Sequence, residues 1–215
     1  MAEGKRAARS VPPTDDLVAL FQAARSNARD LLADAERLAQ CGSFPRAHAL
    51  ATLACEELGK GYLCLAATLP DVTPEDFWRT FYSHTGKLRR THWIVAFGQG
   101  DSAVTWREFE RSVSGDSGSS HAVKLRGLYV DYRRGRVLRP TDISAKATHR
   151  MIGLARKSLA FAEEFAEDHP EDRFLVFEGF ITAVRGQLAD PEAAEFVEVL
   201  WKTIYETYHD RVIGD

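Results

Sequence analysis

Apolar residues recur at helical spacing through most of the first hundred residues, and this pattern restricts the chain to a helical fold. From residue 17 to residue 38 the apolar side chains lie three or four positions apart, until Gly42 ends the pattern. Ser43 and Pro45 then open a second helical pattern, which ends at Pro70. Because the connection between the two helices is so short, we expect them to pack antiparallel.

The patterns further along the chain are also helical. We predict a third helix from Thr73 to Gly98, a short one near 104–113, and others at 142–168, 174–188 and 192–208. Residues 114–120 consist almost entirely of Ser and Gly and predict a loop, with a helical stretch at 121–132 and a short hairpin around Gly135 after it. The fold class predicted is an all-α antiparallel helical bundle with additional C-terminal helices.

Length and composition favour one soluble domain. The chain has 215 residues, of which 45% are hydrophobic, enough for one substantial core. We expect a disordered arm at 1–13 and a single domain at 14–215, with a core at about 14–140 and a helical extension at 141–215. Acids and lysine interrupt the most apolar stretch, 49–69, and the first residues lack the apolar centre of a signal peptide. The sequence therefore predicts a cytoplasmic protein without a membrane span.

The net charge of −3 is unevenly distributed along the chain. Between Lys124 and Arg139 there are six cations and one acid, whereas residues 159–215 carry fourteen acids and four cations. Lys87 and the two arginines close behind it form a second basic group. An RNA would therefore contact the middle of the chain. The candidate RNA-binding residues are Arg89, Arg90, Arg133, Arg134, Arg136 and Arg139.

Glu56, Glu57 and Lys60 stand on a helix whose other residues are mostly small and apolar. Glu56 and Lys60 are one helical turn apart, so an ion pair within the bundle accounts for these two. An ion pair between Glu56 and Lys60 does not explain why Glu57, a further acid, is present on this mostly apolar helix. The alternative is that the three residues belong to a functional site.

His84 is the first candidate for proton transfer, because the pKa of an unperturbed histidine is about 6.5. Lys87 follows it by three residues and can project from the same helical face. Arg79 precedes it with four residues between, which is an R-x4-H spacing. On a regular helix Arg79 and His84 would point about 140 degrees apart, so they converge only if the helix is distorted or if two subunits share the site.

Metal and disulfide chemistry are not indicated. The other histidines are scattered, with no H-x3-H pair and no H-E-x-x-H motif. The three cysteines have no C-x-x-C spacing. We therefore predict no metal and no cofactor.

Three strings of the sequence resemble, in order, the AbiV family of bacterial abortive-infection proteins. The first string is residues 46–60, which ends in Glu56–Glu57–Leu58–Gly59–Lys60. The other two are Ser83–His84–Thr85–Gly86–Lys87 and Lys124–Leu125–Arg126–Gly127–Leu128–Tyr129–Val130–Asp131–Tyr132. The resemblance covers roughly residues 20–135. AbiV belongs to the HEPN superfamily of all-helical domains, many of which are ribonucleases. The resemblance thus implies an HEPN-type helical bundle.

The same resemblance implies a function in phage defence. It suggests an RNase-type toxin that cleaves RNA without a metal, using the substrate's own 2′-hydroxyl as nucleophile. HEPN ribonucleases commonly form homodimers whose motifs meet in one cleft, so a homodimer is expected. A phage-encoded activator or a cognate antitoxin are further possible partners, and no membrane partner is expected.

The resemblance gives roles to individual residues of this chain. His84 would be the general acid or base, and Arg79 or Arg126 would stabilise charge on the phosphate. The other predicted members of the site are Glu57, which would orient a partner, Lys60 and Lys87, which would add positive field, and Tyr129 and Asp131.

The last string leaves an alternative open. HEPN domains usually carry R-x4-H on a late helix, but the residue five after Arg126 is Asp131. Either His84 is the active histidine, or the late motif has decayed and the domain binds without cutting. Tyr129 could also simply pack in the core, with its hydroxyl bonded to Asp131 or Glu57. The rival function is thus a non-catalytic helical module that binds a phage protein, a host protein or an RNA.

Overall fold

The structure, a computed structural model, describes residues 9–67, 72–98, 106–133 and 135–167. In these ranges the chain is almost wholly helical, which confirms the all-α prediction. The elements are α1 (Thr14–Gln40), α2 (Phe44–Ala66), α3 (Pro74–Tyr82), α4 (His84–Gly98), α5 (Trp106–Leu128), β1 (Asp131–Arg133), β2 (Arg136–Leu138), a 3₁₀ helix (Pro140–Asp142) and α6 (Ala145–Glu167). None of the described helices combines the length and the apolar character needed to cross a membrane.

Helix α2 is the centre of the bundle. It packs against α1 as an antiparallel hairpin, closed by Gly42 with a φ of 75°, and also contacts α4, α5 and α6. Because neighbours surround it, α2 buries small residues on nearly every side, whereas α1 buries a single apolar stripe. Several polar residues of α2 are therefore buried as well, among them His48, Thr52 and Glu56.

The prediction of one helix from Thr73 to Gly98 is wrong at Ser83. This residue has an extended backbone, with ψ of 116°, and separates α3 from α4. The Ser83 hydroxyl accepts a hydrogen bond of 3.0 Å from the backbone N–H of Gly86, so it caps the new helix. The break redirects the chain, and His84 becomes the first residue of α4.

The predicted loop at 114–120 is also wrong, because these residues lie inside α5. Ser117, Ser120 and Lys124 are buried at intervals of three and four residues, which places them on one packed face. The Ser117 hydroxyl donates a hydrogen bond of 2.6 Å to the Val113 carbonyl. Packing of this face against α2 and α4 outweighs the low helix propensity of Ser and Gly.

After α5 the chain forms the short hairpin expected around Gly135. Strands β1 and β2 pair antiparallel, with Tyr132 opposite Val137, and Gly135 has a φ of 77°. Such a positive φ is readily adopted by glycine, which supports the tight turn between the strands.

Both ends of the described chain differ from expectation. Helix α6, assigned above to an extension beyond the core, contributes Met151, Ile152, Ala155, Leu159 and Ala162 to the same hydrophobic core as α1 and α2. Arg9 and Ser10 of the predicted disordered arm contact α3, where the Arg9 guanidinium lies over the Trp78 ring and the indole N–H of Trp78 donates to the carbonyl of Ser10 at 3.0 Å. The predicted helices at 174–188 and 192–208 lie outside the described residues.

Candidate active site

A buried carboxylate on α2 organises the polar groups of the bundle. Glu56 is only 2% exposed. One of its oxygens, Oε2, lies 2.7 Å from Nδ1 of His84 on α4, and the other, Oε1, lies 2.5 Å from Nζ of Lys124 on α5. A buried charge is tolerated only when it is paired and hydrogen-bonded, and Glu56 has a partner on each oxygen. Three helices therefore meet at this residue.

Two histidine rings stack beside Glu56. The imidazoles of His84 and His121 are nearly parallel, with an interplanar angle of 18° and centroids 5.2 Å apart. His121 Nδ1 is buried and lies 3.8 Å from Glu56 Oε1, which is too long for a hydrogen bond. Burial lowers the pKa of His121, the charge of Lys124 lowers it further, and Glu56 opposes both effects.

Two more charged groups complete the surroundings. Lys87 on α4 is buried, which lowers its pKa, while the carboxylate of Glu56 acts in the opposite direction. Lys60, half-buried one turn beyond Glu56, contacts Glu57 with Nζ 2.6 Å from Oε1. We call Glu56, His84, Lys87, His121 and Lys124 the Glu56 cluster. The Glu57–Lys60 pair lies at its edge, because both its members act electrostatically on Lys87.

The local sequence explains how these side chains meet. The break at Ser83 starts α4 at His84, which brings the imidazole to Glu56. Gly59 then lets α4 approach α2 closely, because a Cβ at Gly59 would lie 2.0 Å from the Lys87 carbonyl oxygen. On α5, His121 and Lys124 are three residues apart and so share one face.

The structure places several sequence-predicted residues together and corrects one pairing. Glu57, Lys60, His84 and Lys87 do lie in or beside the cluster. The predicted ion pair between Glu56 and Lys60 is wrong, since Lys60 contacts Glu57 and Glu56 contacts His84 and Lys124 instead. The reason is rotational: Glu56 faces α4 and α5, whereas Glu57 is one position further round α2.

Arg79 is directed elsewhere. It lies on α3, with a mostly exposed side chain paired to Asp76 of the same helix. His84 lies beyond the break and bonds Glu56. The R-x4-H spacing is therefore present in the sequence, but each of its two residues has a different partner.

The late string is spread out in space. Arg126 lies near His48, whose pKa is lowered by burial and, to a smaller extent, by the positive charge of Arg126. His48 precedes Glu56 by eight residues on α2, a separation of about 12 Å along the axis. Tyr129 is 62% exposed, so the alternative that it packs in the core is wrong. Asp131 begins strand β1.

The candidate RNA-binding arginines lie on two surfaces. Arg89 is exposed on α4, while its neighbour Arg90 is half-buried and has a pKa lowered by burial and by the charge of Arg89. In the hairpin region, Arg136 and Arg139 are exposed and Arg133 lies in β1. Arg134 lies outside the described residues.

The sequence does not single out His121 and Lys124 as members of a site, and it offers Glu56 only as an alternative to its ion pair with Lys60. His121 is not a scattered residue, as its position in the sequence suggests, but the stacking partner of His84. The available signal was the i, i+3 spacing of His121 and Lys124 at the start of the late string. Glu56, His84 and His121 are also the described residues whose side chains could hold a metal ion together.

Comparison with known proteins shows the family of the chain. The HEPN_AbiV family model, described as AbiV, matches residues 16–160, which is more than half of the chain. The chain belongs to the AbiV family. No match to it was found among the curated proteins or among the solved structures. The AbiV match extends from α1 into α6 and includes every residue of the Glu56 cluster, which confirms the resemblance drawn from the sequence.

Proposed function

We propose that this AbiV protein acts in phage defence as a metal-independent ribonuclease, and that the Glu56 cluster is its active site. The observation that carries the proposal is the stacked pair of imidazoles beside a buried carboxylate, with two buried lysines in the same cluster. RNA cleavage by the internal 2′-hydroxyl needs one group to accept a proton and another to donate one. Two adjacent histidines supply both groups.

The hydrogen bond to Glu56 prepares His84 for proton transfer. A carboxylate only accepts hydrogen bonds, so the proton of the contact lies on His84 Nδ1. Nε2 of the same ring is then left for the substrate. The His84 side chain is 53% exposed, which makes it accessible to an RNA chain.

The reaction can be written in two coupled proton transfers. One imidazole removes the proton of the 2′-hydroxyl, whose oxygen attacks the adjacent phosphorus. The other imidazole donates a proton to the departing 5′-oxygen, so the P–O5′ bond breaks and the products are a 2′,3′-cyclic phosphate and a 5′-hydroxyl. Negative charge grows on the phosphate oxygens during the attack, and buried cations stabilise it more than exposed ones do.

The lysines of the cluster supply that positive charge. In this mechanism Lys87 and Lys124 stabilise the charge on the phosphate, which the resemblance expected of Arg79 or Arg126. Arg79 pairs with Asp76 instead, and Arg126 lies beside His48. Glu57 and Lys60 form the flank of the cluster. The departure at Asp131 is then compatible with catalysis, because both histidines come from other positions.

The decisive experiment is cleavage of total RNA by the purified protein in EDTA. We expect the wild type to cut RNA and to leave 2′,3′-cyclic phosphate ends. His84→Ala and His121→Ala should each reduce the rate by about 100- to 10,000-fold, the usual contribution of one general acid or base. His149→Ala is the matched control, because His149 is an exposed histidine on α6, away from the cluster.

A chemically modified substrate adds a second control. Replacing the nucleotide at the mapped cleavage point by its 2′-deoxy form should abolish cutting there, since the nucleophile is missing. Cleavage that survives both histidine substitutions would contradict the proposal. RNA or protein binding by a wild type that cuts no RNA would instead support the non-catalytic binding module.

A further inference from the structure

We propose that Glu56, His84 and His121 form a binding site for a divalent transition-metal ion of the zinc type. One carboxylate oxygen and one nitrogen of each imidazole all lie within 4.8 Å of one another. Two histidines and one glutamate are a ligand set that zinc accepts in sites with three protein ligands and one open position. The three residues come from α2, α4 and α5, so the rigid bundle fixes their separation.

The donor atoms are spaced for one ion after small side-chain rotations. Two ligands of a tetrahedral zinc ion, each about 2.0–2.1 Å from the metal, are about 3.3 Å apart. His84 Nδ1 lies 2.7 Å from Glu56 Oε2, and His121 Nδ1 lies 3.8 Å from Glu56 Oε1. These two separations, measured to the two oxygens of one carboxylate, lie on either side of that value, and the three donor atoms all lie within 4.8 Å of one another.

The neighbours of the three ligands fit the same purpose. Lys124 bonds Glu56 Oε1, so Oε2, which contacts His84, remains as the ligand oxygen. In metal sites, a carboxylate that binds the ion is usually also hydrogen-bonded to a neighbouring group, as Glu56 is to Lys124. His121 Nδ1 is buried and has no hydrogen-bond partner among the described residues, which leaves its lone pair available.

The ligand types select among metals. Imidazole nitrogens favour zinc, copper, nickel and iron over magnesium and calcium, which prefer oxygen ligands. The positive charges of Lys87 and Lys124 oppose a dication. We therefore expect reversible binding to the folded protein, rather than a metal that the chain needs in order to fold.

Metal binding has a consequence that rests on the proposed function. A neutral imidazole has one lone pair, and a metal on Nδ1 leaves the proton on Nε2. His84 could then no longer remove a proton from a 2′-hydroxyl. Zinc should therefore inhibit the metal-independent cleavage of RNA.

The test measures metal binding without RNA. The full chain, free of any histidine tag and carrying Cys41→Ser to remove its exposed thiol, is titrated with Co²⁺ and with Zn²⁺. We expect one equivalent to bind, with the strong visible absorption of tetrahedral Co²⁺, and Zn²⁺ to displace it. His84→Ala and His121→Ala should each weaken binding by more than the roughly 10- to 100-fold that outer-sphere changes cause. His149→Ala should bind as the parent does.

The outcomes separate this site from the proposed ribonuclease. Absence of saturable binding, or binding retained in either His84→Ala or His121→Ala, would overturn the metal site, whatever the protein does to RNA. RNA cleavage that depends on added metal and stops in EDTA would instead overturn the metal-independent mechanism and leave the site intact. Circular dichroism of each variant checks that it is folded. Because the His84 side chain is more exposed than that of His121, we expect His84→Ala to disturb the fold less than His121→Ala does.

Discussion

Lys124 is an unusual residue to find in the interior, because its side chain is only 4% exposed. Its ammonium group is held by Glu56, and removal of one partner of a buried ion pair leaves an uncompensated charge. We expect Lys124→Met and Glu56→Gln each to destabilise the fold by about 3–5 kcal/mol, and the double substitution to cost clearly less than the sum. Urea denaturation of the wild type, the two single variants and the double variant measures the coupling energy between Glu56 and Lys124.

A surface pair provides the matched control for this cycle. Arg37 and Asp34 are three residues apart on α1, and both side chains are mostly exposed. Breaking that pair should change the unfolding free energy by less than about 1 kcal/mol. Simple additivity of Lys124→Met and Glu56→Gln would mean that the two groups do not support each other.

His48 gives a prediction for pH. Burial lowers its pKa in the folded protein, the Arg126 charge lowers it further, and a backbone contact with Ala147 opposes both. The unfolded chain keeps a histidine pKa near 6.5 and therefore binds the proton first. Stability should be full above about pH 6.5 and fall as the pH drops below it.

The measurement is the melting temperature of wild type and His48→Gln between pH 7 and pH 5. The variant should lose less stability over this range, because it lacks the buried titrating group. His149→Gln, at an exposed position, should retain the pH dependence of the wild type. An equal loss in wild type and His48→Gln would show that His48 does not control the acid response.

At the scale of helices, Gly59 sets the distance between α2 and α4. A methyl group there would meet the Lys87 carbonyl oxygen at 2.0 Å, so the helices must separate. We expect Gly59→Ala to destabilise the protein by about 1–3 kcal/mol or more, since overpacking forces backbone shifts. The control is Gly153→Ala in α6, where a Cβ meets nothing within 4 Å. That change should stabilise by about 0.5–1 kcal/mol. A neutral Gly59→Ala would show that the two helices are not closely packed in solution.

Periodicity in the sequence was enough to predict α1, α2 and α6, because each has a clear apolar pattern. It was not enough for the break at Ser83, where a single capping serine interrupts an otherwise helical pattern. Nor could it reveal that residues 114–120 are helical, since that depends on packing of Ser117 and Ser120 against distant helices.

The cluster shows the same limit more sharply. Glu56 contacts His84 and Lys124, which are 28 and 68 residues away in sequence. Periodicity tells which face of a helix is buried, but it does not tell how neighbouring helices are rotated about their axes. The sequence could therefore nominate His84, Lys87 and Glu57, yet it could not show that Glu56 is the residue joining α2 to α4 and α5.

At the scale of the whole molecule, the expected homodimer remains a prediction. Large apolar side chains are exposed where α5 ends and the hairpin begins, namely Leu125, Leu128, Tyr129, Val130, Tyr132 and Val137. Contiguous exposed apolar surface is typical of a protein interface. Light scattering at tens of micromolar should show a dimer, and Val130→Asp with Val137→Asp should shift it to monomer. A monomeric wild type would contradict the dimer.

The basic run Arg133, Arg134, Arg136 and Arg139 is predicted to hold the RNA backbone rather than to read bases. Arg136 and Arg139 are exposed in the hairpin region, in a chain whose net charge is −3. Each phosphate contact releases counterions, so the affinity should fall steeply with salt, with a slope near −0.7 per contact for single strands. It should depend little on RNA sequence.

Replacing all four arginines by glutamine should make the slope of log affinity against log salt concentration shallower by roughly 2 to 3. The melting temperature should stay nearly unchanged, because exposed charges such as those of Arg136 and Arg139 add little stability. The matched control replaces Arg29, Arg37, Arg150 and Arg156, exposed arginines of α1 and α6, and changes the net charge equally. If only total charge matters, both variants lose the same affinity. If the hairpin run forms the contacts, only the first variant changes the slope. An unchanged slope in the first variant would mean that the run is a solvated turn, and would leave Lys87, Arg89 and Arg90 as the candidates for the backbone contact.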